Sequence, residues 1–134
     1  SDGRGGAWRV GFVRGDTVEL ARKDEAVTTL VRLGVPDLNE GELRGYEPEG
    51  GRLVCLAKVD GKYLAVDDWC NHAGCLLSAG WIARKEGRPM VVCPCHEIGF
   101  DLETGKNLVA PAICGDQQPF RVLEKDGVLF AEID

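Results

Sequence analysis

A chain of 134 residues fits one domain and is long enough to bury a core without help from disulfides or metal. Its net charge of −6 argues against a nucleic-acid or anionic-membrane partner, and no apolar run reaches membrane-spanning length. A composition of 44% hydrophobic and 28% charged residues is that of an ordinary soluble protein, and eighteen glycines against one methionine predict many tight turns and few long helices.

Residues 1–6 read as a flexible leader. No signal peptide is visible, so the expected location is cytoplasmic. The chain opens on Ser1 rather than Met, which keeps a periplasmic or membrane-tethered form open. Residues 7–13 and 17–21 are short strand-like runs around the turn signal Arg14-Gly15-Asp16. In 24–33 the β-branched Val27, Thr28, Thr29 and Val31 favour strand over helix. Turn signals follow at 34–37 and 38–41.

Residues 42–47 predict a strand, and Pro48-Glu49-Gly50-Gly51 a turn. The runs 52–59 and 62–67 flank Asp60-Gly61, and 119–125 and 128–133 flank Asp126-Gly127. An Asp-Gly link between apolar runs is a strong hairpin signal, because both turn residues need positive φ. Val91-Val92 is a further short strand, and Thr104-Gly105 a further turn. No ten-residue stretch shows helical periodicity. The expected fold is all-β, an antiparallel sandwich of hairpins with a smaller lobe inserted between two hairpin-rich halves.

That lobe holds both histidines and four of the six cysteines. Box one reads Cys70-Asn71-His72-Ala73-Gly74-Cys75, and box two Cys93-Pro94-Cys95-His96-Glu97-Ile98-Gly99-Phe100-Asp101. Cys70 and His72, with Cys93 and His96, offer two sulfurs and two nitrogens from two loops. Tetrahedral zinc is one reading. Zinc fingers, however, group like ligands along the chain. Here the order is Cys-His then Cys-His, and Cys75 and Cys95 bring the candidates to six, too many for one zinc. The other reading is a two-iron, two-sulfide cluster with thiolates on one iron and imidazoles on the other.

The order C-x-H … C-x-x-H resembles the Rieske family, as do Gly74, Cys75, Pro94, Phe100, Asp101 and Gly105 around it. The resemblance is specific over 67–106 and looser over 29–134, which is the expected Rieske domain; residues 1–28 read as an N-terminal extension. It implies that Cys70 and Cys93 bind the inner iron, and His72 and His96 the outer iron. It also implies a Rieske-like iron–sulfur fold, an electron carrier rather than an enzyme, and redox partners: a reductase, and an oxygenase or other acceptor. The alternatives are a Rieske subunit of a larger oxidoreductase and a zinc-stabilised structural module.

In the cytochrome bc branch, cysteines at the positions of Cys75 and Cys95 form a disulfide, and the same pairing is expected here. Many oxygenase-associated ferredoxins lack that pair. High-potential members read C-P-C-H-G-S-x-Y-D, whereas this chain has Glu97, Ile98 and Phe100 in place of Gly, Ser and Tyr. Neither Ile98 nor Phe100 can donate a hydrogen bond, which implies a potential below that branch. Ala73 replaces a bulky Leu at the docking tip, against a quinol-oxidising role. Leu76-Leu77 and Val109-Ala110-Pro111 resemble segments that shield the cluster.

Cys55, in an apolar run, is expected to be a buried, inert thiol; Cys114 is given no role. Trp69 and Trp81, which flank the first box, are expected to serve packing rather than to act as electron relays. Arg84, Lys85 and Arg88 are expected to lie in a solvated loop.

Overall fold

A computed structural model describes residues 8–14, 17–22, 27–34, 37–47, 53–70 and 74–133, with side chains from Leu30 onward. The leader at 1–6, the turn residues Gly15, Asp16, Val35, Pro36 and 48–51, and His72 and Ala73 of box one lie outside the described residues. The described secondary structure is antiparallel strands with one short 3₁₀ turn, Leu77–Ala79, and no α-helix.

The chain forms two compact units. The first contains β1 (Trp8–Arg14), β2 (Thr17–Arg22), β3 (Val27–Gly34) and β11 (Val128–Glu132). They pair in the order β1, β2, β3, β11, and β11 pairs with residues 121–125 of β10 (Pro119–Lys125). The β-branched run at 27–31 is therefore strand, as its propensity predicts. Leu30, Val31, Leu33, Leu129, Ala131 and Ile133 are its buried apolar side chains.

The second unit takes Leu38–Tyr46 and Leu53–Phe120 and holds both boxes. One sheet runs β4 (Leu43–Tyr46), β5 (Val54–Val59), β6 (Lys62–Asp67), with Pro119 and Phe120 paired to Val66 and Ala65. Residues 54–57 are all buried, which makes β5 the central, two-sided strand. The other sheet is β7 (Trp81–Lys85), β8 (Arg88–Val92) and β9 (Gly99–Asp101). Cys55, Ala57, Val59 and Val66 of the first sheet share one core with Val91 and Phe100 of the second. Cys70, Leu77, Cys93, Ile98 and Leu102 belong to that same core, so the two boxes are rooted in it.

The hairpin turns at Asp60-Gly61 and Asp126-Gly127 have φ of 54° and 76°, and of 55° and 79°. Glu40 fastens the first by accepting the N–H groups of Asp60 and Gly61. A third turn of the same kind occurs at Glu86-Gly87, with φ of 52° and 82°. It corrects the expectation of a solvated loop. Arg84 and Lys85 are on β7 and Arg88 opens β8. Arg84 grips Asp60 at 2.9 and 3.0 Å, and Lys85 donates to the Leu108 carbonyl at 2.8 Å. The tryptophans are partly exposed: Trp69 is 54% exposed and Trp81 46%. Trp81 begins an edge strand, and Trp69 lies in an isolated bridge to Leu76.

Candidate metal centre

Box one leaves the end of β6 and box two the end of β8. The two loops share one backbone design. The Cys70 N–H donates to the Cys75 carbonyl (2.8 Å), and the Gly74 N–H donates back to the Cys70 carbonyl (3.0 Å). The Cys93 N–H donates to the Ile98 carbonyl (2.9 Å), and the Glu97 N–H donates back to the Cys93 carbonyl (2.8 Å). Each loop thus closes on its first cysteine, and each of those cysteines is fully buried. Cys70 and Cys93 are equivalent by geometry as well as by motif.

The matching return residues, Gly74 and Glu97, both have positive φ, 70° and 56°. Glycine suits that conformation; glutamate is strained in it by about 1–2 kcal/mol. Glu97→Gly should therefore stabilise the protein by up to about 1 kcal/mol, the relief being partly offset by glycine's larger entropy loss. An unchanged or lower urea midpoint would contradict this. In box one the Trp69 indole lies over Gly74, where an added Cβ would meet the ring at 3.1 Å.

Each loop has a buried polar clamp at its base. Asp68, almost fully buried, accepts the Ser78 N–H at 2.6 Å and the Ser78 hydroxyl at 2.7 Å. Burial pushes its carboxyl above the usual range, against the opposing pull of the Ser78 bonds. Only glycine fits at Gly45, because a Cβ there would lie 2.5 Å from the Ser78 Oγ. From the other side the buried Gln117 amide donates to the carbonyls of Asp67 and Trp69, immediately before Cys70. Box two is held by Asp101, whose buried carboxylate accepts Arg88 and the N–H groups of Glu103 (2.7 Å) and Thr104 (3.3 Å). Asp68, Ser78 and Gln117 carried no motif, and their partners lie 10 to 50 residues away along the chain.

Across the loops, Cys75 is bonded to Cys95, with Cα atoms 6.5 Å apart. The sulfurs of Cys75, Cys93 and Cys95 all lie within 4.8 Å of one another. Cys75 is half-buried, while Cys95 and His96 are exposed. His72 falls outside the described residues. Cys55 is fully buried, and burial, aided by the Asp68 charge, raises its thiol pKa well above the ordinary value. Such a thiol is inert at neutral pH. Cys114 is partly buried against the core and lies 3.3 Å from the Asn107 amide, which also orders residues 107–114 through the Ala110 and Cys114 carbonyls.

The donor chemistry suits a mixed thiolate–imidazole cluster. Two buried thiols sit at equivalent loop positions in an apolar core, and an imidazole from box two stands at the surface. Ile98 and Phe100, both buried in that core, bring no hydroxyl to it.

Comparison with known proteins agrees. The naphthalene 1,2-dioxygenase ferredoxin component of Pseudomonas putida is 38% identical over 79 residues, 59% of this chain and 71% of that protein. The 3-phenylpropionate/cinnamic acid dioxygenase ferredoxin subunit of Photorhabdus laumondii is 34% identical over 101 residues, 74% and 89% of the two chains. A Mycobacterium tuberculosis protein provisionally named an NADH-dependent nitrite reductase small subunit shares the fold. Its TM-score is 0.72 at 22% identity, covering 81% of this chain and 98% of that one. The Rieske [2Fe-2S] domain family itself matches residues 29–121. From loops, buried cysteines and sequence alike, the chain belongs to the Rieske [2Fe-2S] domain family.

Proposed function

We propose that the chain is a one-electron carrier of the ferredoxin type, delivering electrons from a reductase to an oxygenase. Cys70, His72, Cys93 and His96 hold its [2Fe-2S] cluster, and the disulfide of Cys75 and Cys95 ties the two loops. The carrying observation is the pair of matched loops, each burying its first cysteine while box two presents His96 to solvent. When bound, a Rieske cluster accepts and returns single electrons at roughly −150 to +300 mV. The chain's own residues do the rest. The apolar core around Cys70 and Cys93 keeps water from the thiolates, Asp68 and Asp101 fix the loop bases, and the exposed histidine edge sets the face a partner must approach.

The ferredoxin reading rests on relatives at 34–38% identity that are named as ferredoxin components. The nitrite reductase likeness, at 22%, carries the fold alone. We assign the carrier to the cytoplasm; no helix among the described residues is long and apolar enough to cross a membrane. The test is stopped-flow mixing of the reduced protein with a purified Rieske oxygenase component. Reoxidation on mixing supports the proposal, whereas a chain that takes up no electron, or is isolated only in a permanent complex, contradicts it.

A potential below that of the cytochrome bc branch is expected, because Ile98 and Phe100, both buried in the core, have no hydroxyl to donate. Ile98→Ser and Phe100→Tyr should each raise it by about 40 mV, the equivalent of about 1 kcal/mol of hydrogen bonding in a one-electron couple. Protein-film voltammetry reads this directly. A wild-type potential near the top of the range, or variants shifted downward, would refute the account.

A further inference from the structure

We infer that Cys93 is also an internal nucleophile toward the disulfide of Cys75 and Cys95. It is held in check only while its sulfur binds metal, so cluster loss moves the disulfide and turns Cys95 into an exposed thiol. The inference rests on the assignment of Cys93 as a ligand. Its basis in the structure is the three-sulfur group: the Cys93 Sγ lies within 4.8 Å of both sulfurs of the disulfide and is itself outside any disulfide. Cys70, the other buried thiol of the site, is not in that group.

The exchange balances without an outside reagent. The Cys93 thiolate attacks the Cys75 sulfur, the Cys93-to-Cys75 bond forms, and the Cys75-to-Cys95 bond breaks. Cys95 leaves with the electron pair as a thiolate. No net oxidation or reduction occurs. Burial selects the direction. Cys95 is exposed and Cys75 half-buried, so the leaving thiolate is best solvated when Cys95 departs. Attack at Cys95 would instead close a tight ring across Pro94, whose backbone is stiff, and eject the less solvated sulfur. The product still ties the two loops together. It also removes Cys93 as a ligand, so the emptied site cannot refill until a dithiol reductant resets it. Persistent disulfides are rare in a reducing cytosol, and those present there are usually redox-active.

The experiment uses the full chain. Wild-type holoprotein, wild type stripped of iron by a chelator without reductant, Cys70→Ser and Cys93→Ser are alkylated with N-ethylmaleimide under acid quench. Their unreduced peptides are then mapped by mass spectrometry. Holoprotein should show Cys75 joined to Cys95. Stripped wild type and Cys70→Ser should show Cys75 joined to Cys93, with Cys95 alkylated in most chains. Cys93→Ser, which also lacks a ligand, should keep Cys75 joined to Cys95. Stripped protein that retains the original disulfide with Cys93 alkylated overturns the inference. So does a scrambled mixture involving Cys55, Cys70 or Cys114, because that reports unfolding rather than proximity. Holoprotein that keeps its colour while Cys93 is already alkylated or joined to Cys75 overturns the ligand assignment instead.

Discussion

Asp101→Ala is expected to lower unfolding free energy by about 2–4 kcal/mol, more than any surface change on this chain. The carboxylate is fully buried, and three donors converge on it: Arg88, the Glu103 N–H and the Thr104 N–H. The backbone of Asp101 is equally committed, donating to the Lys106 carbonyl and accepting the Gly105 N–H, each at 2.7 Å. Alanine would leave the Glu103 and Thr104 N–H groups, whose bonds to the carboxylate are part-buried, without their acceptor, beside a turn that cannot adjust. A Cβ on Gly105 would lie 1.9 Å from the Gln117 carbonyl. Asp101→Asn keeps an acceptor oxygen and should cost less, which separates the charge from the hydrogen bonds.

The pH dependence has a definite sign. Burial alone would raise the Asp101 pKa, but Arg88 and the two N–H groups outweigh it and hold the carboxyl below its usual range. An unfolded aspartate titrates near about 3.9. The Asp101 contribution is therefore complete above that pH and is lost as pH falls through the lower, folded-state value. Asp68 runs the other way. Its pKa is raised by burial, so its contribution is present at low pH and is lost as pH rises through the folded value. The difference between wild type and Asp101→Asn isolates the first group. Urea midpoints should converge as the pH drops from 5 toward 2. Parallel loss in the two proteins would remove Asp101 as the acid-sensitive clamp.

Much of this was legible in the chain because it is local. Asp-Gly pairs take positive φ readily, so the turns at Asp60 and Asp126 announce their hairpins. Glu86-Gly87 adopts the same geometry, but glutamate is not a turn residue, and β7 was hidden with it. Cys55 reads correctly because its whole run is apolar and β5 is buried along 54–57. How far Trp69 and Trp81 are exposed was not legible, because position on an isolated bridge and an edge strand decides it rather than ring size. The loop clamps were illegible for a different reason. Nothing local to Asp68 names Ser78, and nothing local to Gln117 names the carbonyls of Asp67 and Trp69. Two Cys/His boxes reveal a metal centre; the groups that hold its loops still are set by tertiary contact.

Cys70→Ser and Cys93→Ser should each yield colourless protein without iron or sulfide, while Cys95→Ser should be isolated coloured. Proximity alone cannot make this distinction, because the sulfurs of Cys75, Cys93 and Cys95 are mutually close. Loop geometry and burial can. Cys70 and Cys93 occupy the same closing position in matched loops and are fully buried, whereas Cys95 is exposed and bonded to Cys75. The disulfide joins loops 20 residues apart, worth about 3 kcal/mol in the chain-entropy model. Losing it should leave the ligands in place but free the loops to part. Cys95→Ser should therefore contain iron and sulfide like wild type, yet bleach much faster when challenged with a chelator or heat. Iron and sulfide assays, visible spectra and bleaching rates supply the measurement. A coloured Cys93→Ser beside a colourless Cys95→Ser would mean the ligand is the exposed sulfur. Equal bleaching rates for Cys95→Ser and wild type would mean the loops are held by their polar clamps, Asp68 with Ser78 and Arg88 with Asp101, and not by the covalent link.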